Sequence, residues 1–431
     1  MTNIFRTARG TLRPAVLALG AAGLMLAACK LDVTNPTLID ANQFNPAGDG
    51  PLISLSAQTQ FYSAFQSVVR YGGLFAEEHL SGAARTEVAD IGRRNFFSAN
   101  QDINFGLFGP LSRAIAGNKN VVKALSAGAS AASDINLARA EMNLAFSIEL
   151  MAETFCQGTI ADVSGAQTVA GPALTPVQLL DSSITHFTRA ISIAGAATGA
   201  EATKIVSAAK IGLARTYLQK GDNANAATAA AAAIASVSSS FTFNVPTSDD
   251  AANRPLANQI YSTSIPTNLD VVSATYRALN DPRVPWKDPG PAAVAQDGVL
   301  HDYQQQKYLS YSSPVRIASF LEAQYVQAEA KLKTADPSFA LALIAARRVA
   351  GGQPVFTGTL TSAILTELLS QSARDFWLEA KKLGDWRRNG AAEPYLSAPG
   401  SIYKGALTFG TLTSVPIPTE ETNTNPIGAC P

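Results

Sequence analysis

The 431-residue chain carries 33 basic and 33 acidic residues, so no basic excess is available to neutralise nucleic-acid phosphates. Hydrophobic residues make up 47% of it, many of them alanine, which favours close helix packing. About 400 residues would remain after removal of a leader, enough for one large domain or for two to three smaller ones.

Arg6, Arg9 and Arg13 form a basic start, and Pro14 to Ala28 is an apolar run too short to stay in a bilayer as a spanning helix. Leu26-Ala27-Ala28-Cys29 has the small residues and the cysteine of a bacterial lipoprotein cleavage site. The expectation is a signal peptide over residues 1–28, with Cys29 as the lipidated, palmitate-bearing first residue of the mature chain. An ordinary secretory signal with an incidental cysteine is the alternative. Lys30, rather than an aspartate, follows Cys29, which favours the outer membrane. Acyl chains supply anchorage at roughly 0.8 kcal/mol per buried methylene. No apolar run after Cys29 reads as a membrane span. An exported chain meets a disulfide-permissive compartment. Cys156 and Cys430 are then left to pair, and a disulfide tying down the tail is expected, with two unpaired thiols as the alternative.

Residues 29–50 read as a polar tether, and 51–431 as a single domain. Leu52 to Val69 is an amphipathic helix with Leu55, Phe61, Phe65 and Val68 on its apolar face, broken or bent by Tyr71-Gly72-Gly73. Leu80 to Asn100 is loop-rich. A helix from Phe105 to Leu125 is interrupted near Gly109-Pro110. Asp134 caps a helix from Ile135 to Phe155, Gly158 to Pro172 is a loop, and Thr175-Pro176 opens the next helix. Glu201 to Lys220 is stopped by Gly221-Asp222, and an alanine-rich helix runs from Ala226 to Val237. Short turns between paired helices point to tetratricopeptide-like hairpins, best fitted by Ala208 to Ile234.

From Phe241 to Ser312 a series of prolines excludes long helices, and Tyr303 to Tyr311 is a candidate strand. Ser313-Pro314 opens a helix carrying Ile317, Leu321, Tyr325, Ala328 and Leu332. Asp336-Pro337 opens another, with Phe339, Leu343, Ala346 and Ala350, stopped by Gly351-Gly352. A third long helix runs from about Ser362 to Gly390. The fold class is thus predominantly α, with helical hairpins in an α-α superhelix over about 105–237 and 313–390, and a loop-rich excursion over about 241–312.

Several strings carry a family resemblance. Pro314-Val315-Arg316, Glu322-Ala323, Ala328-Glu329-Ala330, Ala345-Ala346-Arg347-Arg348 and Glu379-Ala380-Lys381-Lys382-Leu383-Gly384-Asp385-Trp386-Arg387-Arg388 resemble the C-terminal region of SusD/RagB-type nutrient-uptake lipoproteins. That family usually has glycine after the glutamate and arginine where Lys382 stands. Leu31-Asp32-Val33 with Asn35-Pro36, Asp281-Pro282-Arg283, Val415-Pro416-Ile417-Pro418, Glu420-Glu421 and Asn425-Pro426 resemble further family segments. The resemblance implies a SusD-like fold and a surface-exposed outer-membrane protein. Such a protein captures an oligosaccharide, or less often a peptide, and delivers it to a SusC-type TonB-dependent transporter. It implies no covalent chemistry and no cofactor.

The residues give no catalytic or metal motif. His79, His186 and His301 lie far apart and lack metal-type spacing, and His186 reads as structural or solvent-facing. No phosphate loop or Gly-x-Ser-x-Gly elbow is present. Glu77-Glu78 and Glu420-Glu421 are adjacent carboxylates, which does not place them across a scissile bond. Glu379, Lys382, Asp385 and Arg388 read as an ion-pair ladder locking the C-terminal helices, and Trp377 and Trp386 as packing residues. Sugars pack their C–H-rich faces on aromatic rings. The loop aromatics Trp286, Tyr71, Phe96, Phe97 and Tyr303 are therefore the candidate ligand contacts, together with Tyr261 and Tyr311. Trp286, between Pro285 and Pro289, leads them, while Phe96 and Phe97 fit a buried reading equally. The competing reading is a helical-repeat scaffold lipoprotein that binds other proteins in envelope assembly.

Overall fold

A thirty-residue helix, α1 (Pro46–Phe75), opens the fold. The computed structural model describes residues 45–164, 167–169, 171–250 and 256–424. Residues 1–28, Cys29, Asn425-Pro426 and Cys430 lie outside them. Helix α1 begins five residues before the expected end of the tether and runs unbroken through Gly72 and Gly73. Gly73 serves close approach rather than a bend. A Cβ on Gly73 would stand 3.1 Å from His79 Nε2 and 3.2 Å from Glu78 Oε2. Phe61, Phe65 and Val68 are buried as expected, whereas Leu55 is exposed.

Strand β1 (His79–Ser81) and a short helix (Thr86–Gly92) occupy part of the expected loop region. A π-helical turn (Asn104–Phe108) then leads into α2 (Gly109–Leu125). That turn is the interruption anticipated near Gly109-Pro110, because proline has no N–H to continue the preceding ladder.

The hairpin series follows: α3 (Ile135–Thr154), α4 (Pro176–Ala196), α5 (Ala200–Lys220) and α6 (Asn223–Ser236). Caps set their limits. Asp134 accepts from the N–H groups of Asn136 and Leu137, and Thr175 with Gln178 forms a reciprocal capping box. Gly221 ends α5 at φ +84°, a conformation that costs glycine little, and Asp222 caps α6. Each helix packs on the next, from α1 through α6. Phe146 on α3 sits at the centre, 5.9 Å from Phe61 and 4.7 Å from Phe187 between ring centroids. A Cβ on Gly212 of α5 would stand 2.9 Å from the Phe146 ring and closer still to Phe187. The expected loop after α3 instead forms two small antiparallel pairs, Gly158–Thr159 with Ala173–Leu174 and Asp162–Ser164 with Gln167–Val169.

Strand β2 (Thr242–Val245) enters the excursion, where the longest described helix is the six-residue Gln259–Ser264. Three short strands follow: β3 (Asp270–Val272), β4 (Trp286–Lys287) and β5 (Gln304–Gln305). The candidate strand over Tyr303 to Tyr311 is therefore only two residues long. Strand β6 (Val315–Ser319) pairs antiparallel with β2, Val315 opposite Val245 and Ser319 opposite Thr242. A helix from Ser313 was expected here. The β-branched Val315 and Ile317 are both buried against the pairing strand, and pairing outweighs the Ser-Pro start signal.

Helix α7 (Phe320–Lys333) packs on α6 and on α8 (Ser338–Ala350), extending the series, and α8 packs on α9 (Thr361–Asp375). Ser319 Oγ accepts from Glu322 N–H at the start of α7. On α8 the buried residues are Ala340 and Ile344, while Phe339 is exposed, so the apolar face is offset by one residue from the one expected. The expected third helix divides in two: α9 ends at Asp375, and α10 (Lys382–Asn389) begins after an irregular turn. Among the described residues no helix is long and apolar enough to cross a membrane.

Candidate functional site

The turn between α9 and α10 explains both the broken helix and most of the buried charge. Leu378 and Ala380 both take φ +58°, an unfavourable region for side-chain-bearing residues. Hydrogen bonds hold the turn at Trp377 and Leu378. Glu78 Oε1 accepts from Leu378 N–H at 2.8 Å, and Glu78 O accepts from Trp377 Nε1 at 3.1 Å. Tyr308 Oη donates to Leu378 O, and Lys307 Nζ to Trp377 O. Burial pushes the Glu78 carboxyl up to about 7, against the opposing pull of the Leu378 N–H and of Lys382 and Lys307.

Around this turn the family-like strings form ion pairs mainly between elements, with Arg388–Asp385 the pair that runs along α10 itself. Glu379 takes Arg316 at 2.7 Å and Lys307 at 2.6 Å. Arg215 of α5 holds Glu149 at 2.6 Å and Glu322 at 3.0 Å, and Lys381 reaches the same Glu322 at 2.8 Å. Arg388 joins Glu329 and Asp385, each at 2.7 Å. Burial raises Glu329, but Arg388 and Lys333 overcome it and leave the carboxyl near about 2. Beside the cluster is a partly open cavity of about 30 Å³ lined by Glu153, Arg215, Glu322 and Tyr325, the scale of one water. Trp377 is fully buried and Trp386 half-buried, in keeping with packing roles. This region is a structural lock.

A different arrangement stands in the excursion. Strand β3 pairs with β1, and its Asp270 receives Arg70 of α1 at 2.7 Å, which ties the excursion to the first helix. Strand β4 pairs with β5, Trp286 opposite Gln305. Val272 N–H donates to Tyr303 O, bringing the two strand pairs together. Their side chains then meet. The rings of Trp286 and Tyr303 lie edge to face, 5.6 Å apart at 87°. The guanidinium carbon of Arg277 sits 3.6 Å from the Tyr303 centroid and 6.0 Å from that of Trp286. The centroid of the His301 ring is 4.4 Å from that of Tyr303, with Nε2 2.7 Å from Asp288 Oδ1. Trp286 keeps 36% of its surface exposed, and Lys287 and Asp288 beside it are exposed as well. The result is an open aromatic platform with polar groups on its rim.

The other candidate aromatics do not join it. Tyr71 is buried, its hydroxyl 3.1 Å from Asp102 Oδ1. Phe96 is buried against Phe75, whereas Phe97 is 82% exposed. Tyr261 and Tyr311 form their own edge-to-face pair at 4.8 Å. Sequence reading missed Arg277 and the His301–Asp288 pair. Both depend on strand pairings between segments that carry no spacing signal. Cys156 lies just past α3, its N–H donating to Val415 O where the C-terminal segment returns. His186 is paired with Glu141 at 2.5 Å. Among the described residues no group of three or more histidine, cysteine, aspartate or glutamate side chains is arranged to hold a metal.

No family model and no curated protein matches the sequence. Solved structures do. A SusD superfamily protein from Parabacteroides distasonis shares 14% identity at a TM-score of 0.68, covering 90% of this chain and 99% of its own. A SusD/RagB family protein from Bacteroides thetaiotaomicron shares 15% identity at a TM-score of 0.63, covering 88% and 94%. The surface glycan-binding protein A from Bacteroides fluxus shares 14% identity at a TM-score of 0.64, covering 87% and 96%. At these identities the likeness concerns architecture, and it runs the length of both chains: this protein has the SusD-type fold.

Proposed function

We propose that the protein is a surface lipoprotein of the SusD/RagB type that captures an oligosaccharide on the Trp286–Tyr303 platform. It then delivers the sugar to a SusC-type TonB-dependent transporter in the outer membrane. The observation that carries this reading is the platform itself: two aromatic rings 5.6 Å apart, one of them exposed, set on a SusD-type scaffold. Apolar sugar faces stack on such rings, while edge hydroxyls meet polar groups like those of Lys287 and Asp288. The fold likeness to a surface glycan-binding protein supports the same ligand class. In this reading Cys29 carries the lipid anchor, and a Cys156–Cys430 disulfide fastens the tail beside the end of α3. The work done is binding and hand-over, with no bond made or broken in the sugar.

The test is recovery of the tagged, membrane-attached protein in mild detergent. A stoichiometric large β-barrel partner is the expected result. Recovery of soluble envelope proteins with no barrel overturns the delivery step and favours the scaffold reading.

A further inference from the structure

Arg277 differs from the ion-paired arginines, and from Arg387, whose Nη1 is shared by the carbonyls of Ala152 and Phe155. Arg70 has Asp270 at 2.7 Å, Arg215 has Glu149 at 2.6 Å, and Arg388 has Glu329 at 2.7 Å. Arg277 is half-buried, yet among the described residues no carboxylate lies within ion-pair distance of it. Its one protein acceptor there is the carbonyl of Val272, taken by Nη1 at 2.6 Å. Asp288 acts on it only from further away, and its Oδ1 is held by His301 Nε2 at 2.7 Å and by Gly290 N–H at 2.8 Å. Burial accordingly pulls the Arg277 pKa down, with Tyr303 and Asp288 only partly restoring it.

The geometry also leaves the guanidinium ready for a ligand. Stacking on Tyr303 at 3.6 Å holds it beside the platform, and Nε and Nη2 have no acceptor among the described residues. A guanidinium fork of this kind matches a carboxylate bidentately, which a hydroxyl cannot do. The exposed Lys287, next to Trp286, adds positive charge to the same rim.

We infer that the platform selects acidic sugars. A uronate ring packs on Trp286 and its carboxylate is received by the free edge of Arg277. This rests on the glycan-capture reading above and names the ligand class within it. It makes Arg277 a specificity residue and Trp286 a general one.

The test uses calorimetric titration of the full mature chain. The probes are uronate oligosaccharides from pectin, alginate and hyaluronan, each beside its carboxyl-reduced counterpart, which keeps the ring and loses the charge. Wild-type protein is expected to bind at least one acidic probe about tenfold or more tightly than its reduced form, the scale of one charge-assisted contact. Arg277→Gln is expected to erase that preference, so that the acidic and the reduced probes bind alike. Arg277→Lys, which keeps the charge and loses the fork, is expected to fall between. Equal wild-type binding of acidic and reduced probes overturns the acid preference while leaving glycan capture standing. An Arg277→Gln protein that weakens for both forms alike assigns the residue a structural role and likewise overturns it. Absence of binding to every probe, acidic and reduced, removes both readings.

Discussion

The α9–α10 lock and the Trp286 platform are both built from aromatics and charge, and they use them in opposite ways. In the lock Arg215, Arg316 and Arg388 each face a carboxylate, Arg387 donates to the carbonyls of Ala152 and Phe155, and the positive-φ turn is held at Leu378 by buried hydrogen bonds. On the platform the arginine has no ion-pair partner among the described residues, and the tryptophan keeps a third of its surface in water. Charge that is fully paired and buried holds a fold together. Charge left half-satisfied beside an exposed ring is available to a ligand. The family-like strings of the C-terminal third belong to the first kind, so they report on architecture rather than on specificity.

The comparison breaks first at Arg215. Arg215→Met leaves Glu149, Glu153 and Glu322 buried without their main counter-charge. The expected loss is about 3–5 kcal/mol of unfolding free energy at pH 7, read by urea denaturation. A loss below about 1 kcal/mol would mean that the cluster is not a lock.

Next in size is the pH response of Glu78. Its folded-state pKa lies near about 7 because of burial, above the ordinary 4.5. The folded state therefore holds a proton that the unfolded chain has already released between those values. Stability falls as pH rises through that window, and the full cost is present above it. Glu78→Gln keeps an acceptor for Leu378 N–H and removes the charge. It is expected to match wild type near pH 4.5 and to exceed it by about 3 kcal/mol above pH 7, since each tenfold change in proton affinity is worth roughly 1.4 kcal/mol. Parallel stability–pH curves for the two proteins would show that Glu78 does not titrate in this way.

Much of the lock's scaffold was legible in the sequence. The Asp134 cap, the Thr175-Pro176 start, the Gly221-Asp222 stop and the hairpin spacing are local signals, and local signals survive into the fold. The errors came where distant segments decide. Helical spacing runs straight through Ser362 to Gly390, but Glu78, about three hundred positions away, captures Leu378 N–H and divides the helix. Pairing with β2 turns the apparent helix start at Ser313-Pro314 into β6. Gly72-Gly73 looked like a break, but the helix runs through it, and Gly73 provides clearance for Glu78 and His79. On the platform, Trp286 and Tyr303 were legible as loop aromatics. Their meeting, and the arrival of Arg277, required the β3–β1 and β4–β5 pairings, which no spacing encodes.

The smallest energetic effect bears on the central claim most directly. Oligosaccharide binding is measured for wild type, for Trp286→Ala and for Phe97→Ser, an exposed aromatic away from the platform. Loss of one stacking ring is expected to weaken binding by about 1–1.5 kcal/mol, close to tenfold, at unchanged thermal stability, with Phe97→Ser indistinguishable from wild type. Full affinity in Trp286→Ala, or equal weakening by Phe97→Ser, contradicts the assignment of glycan capture to the Trp286–Tyr303 platform.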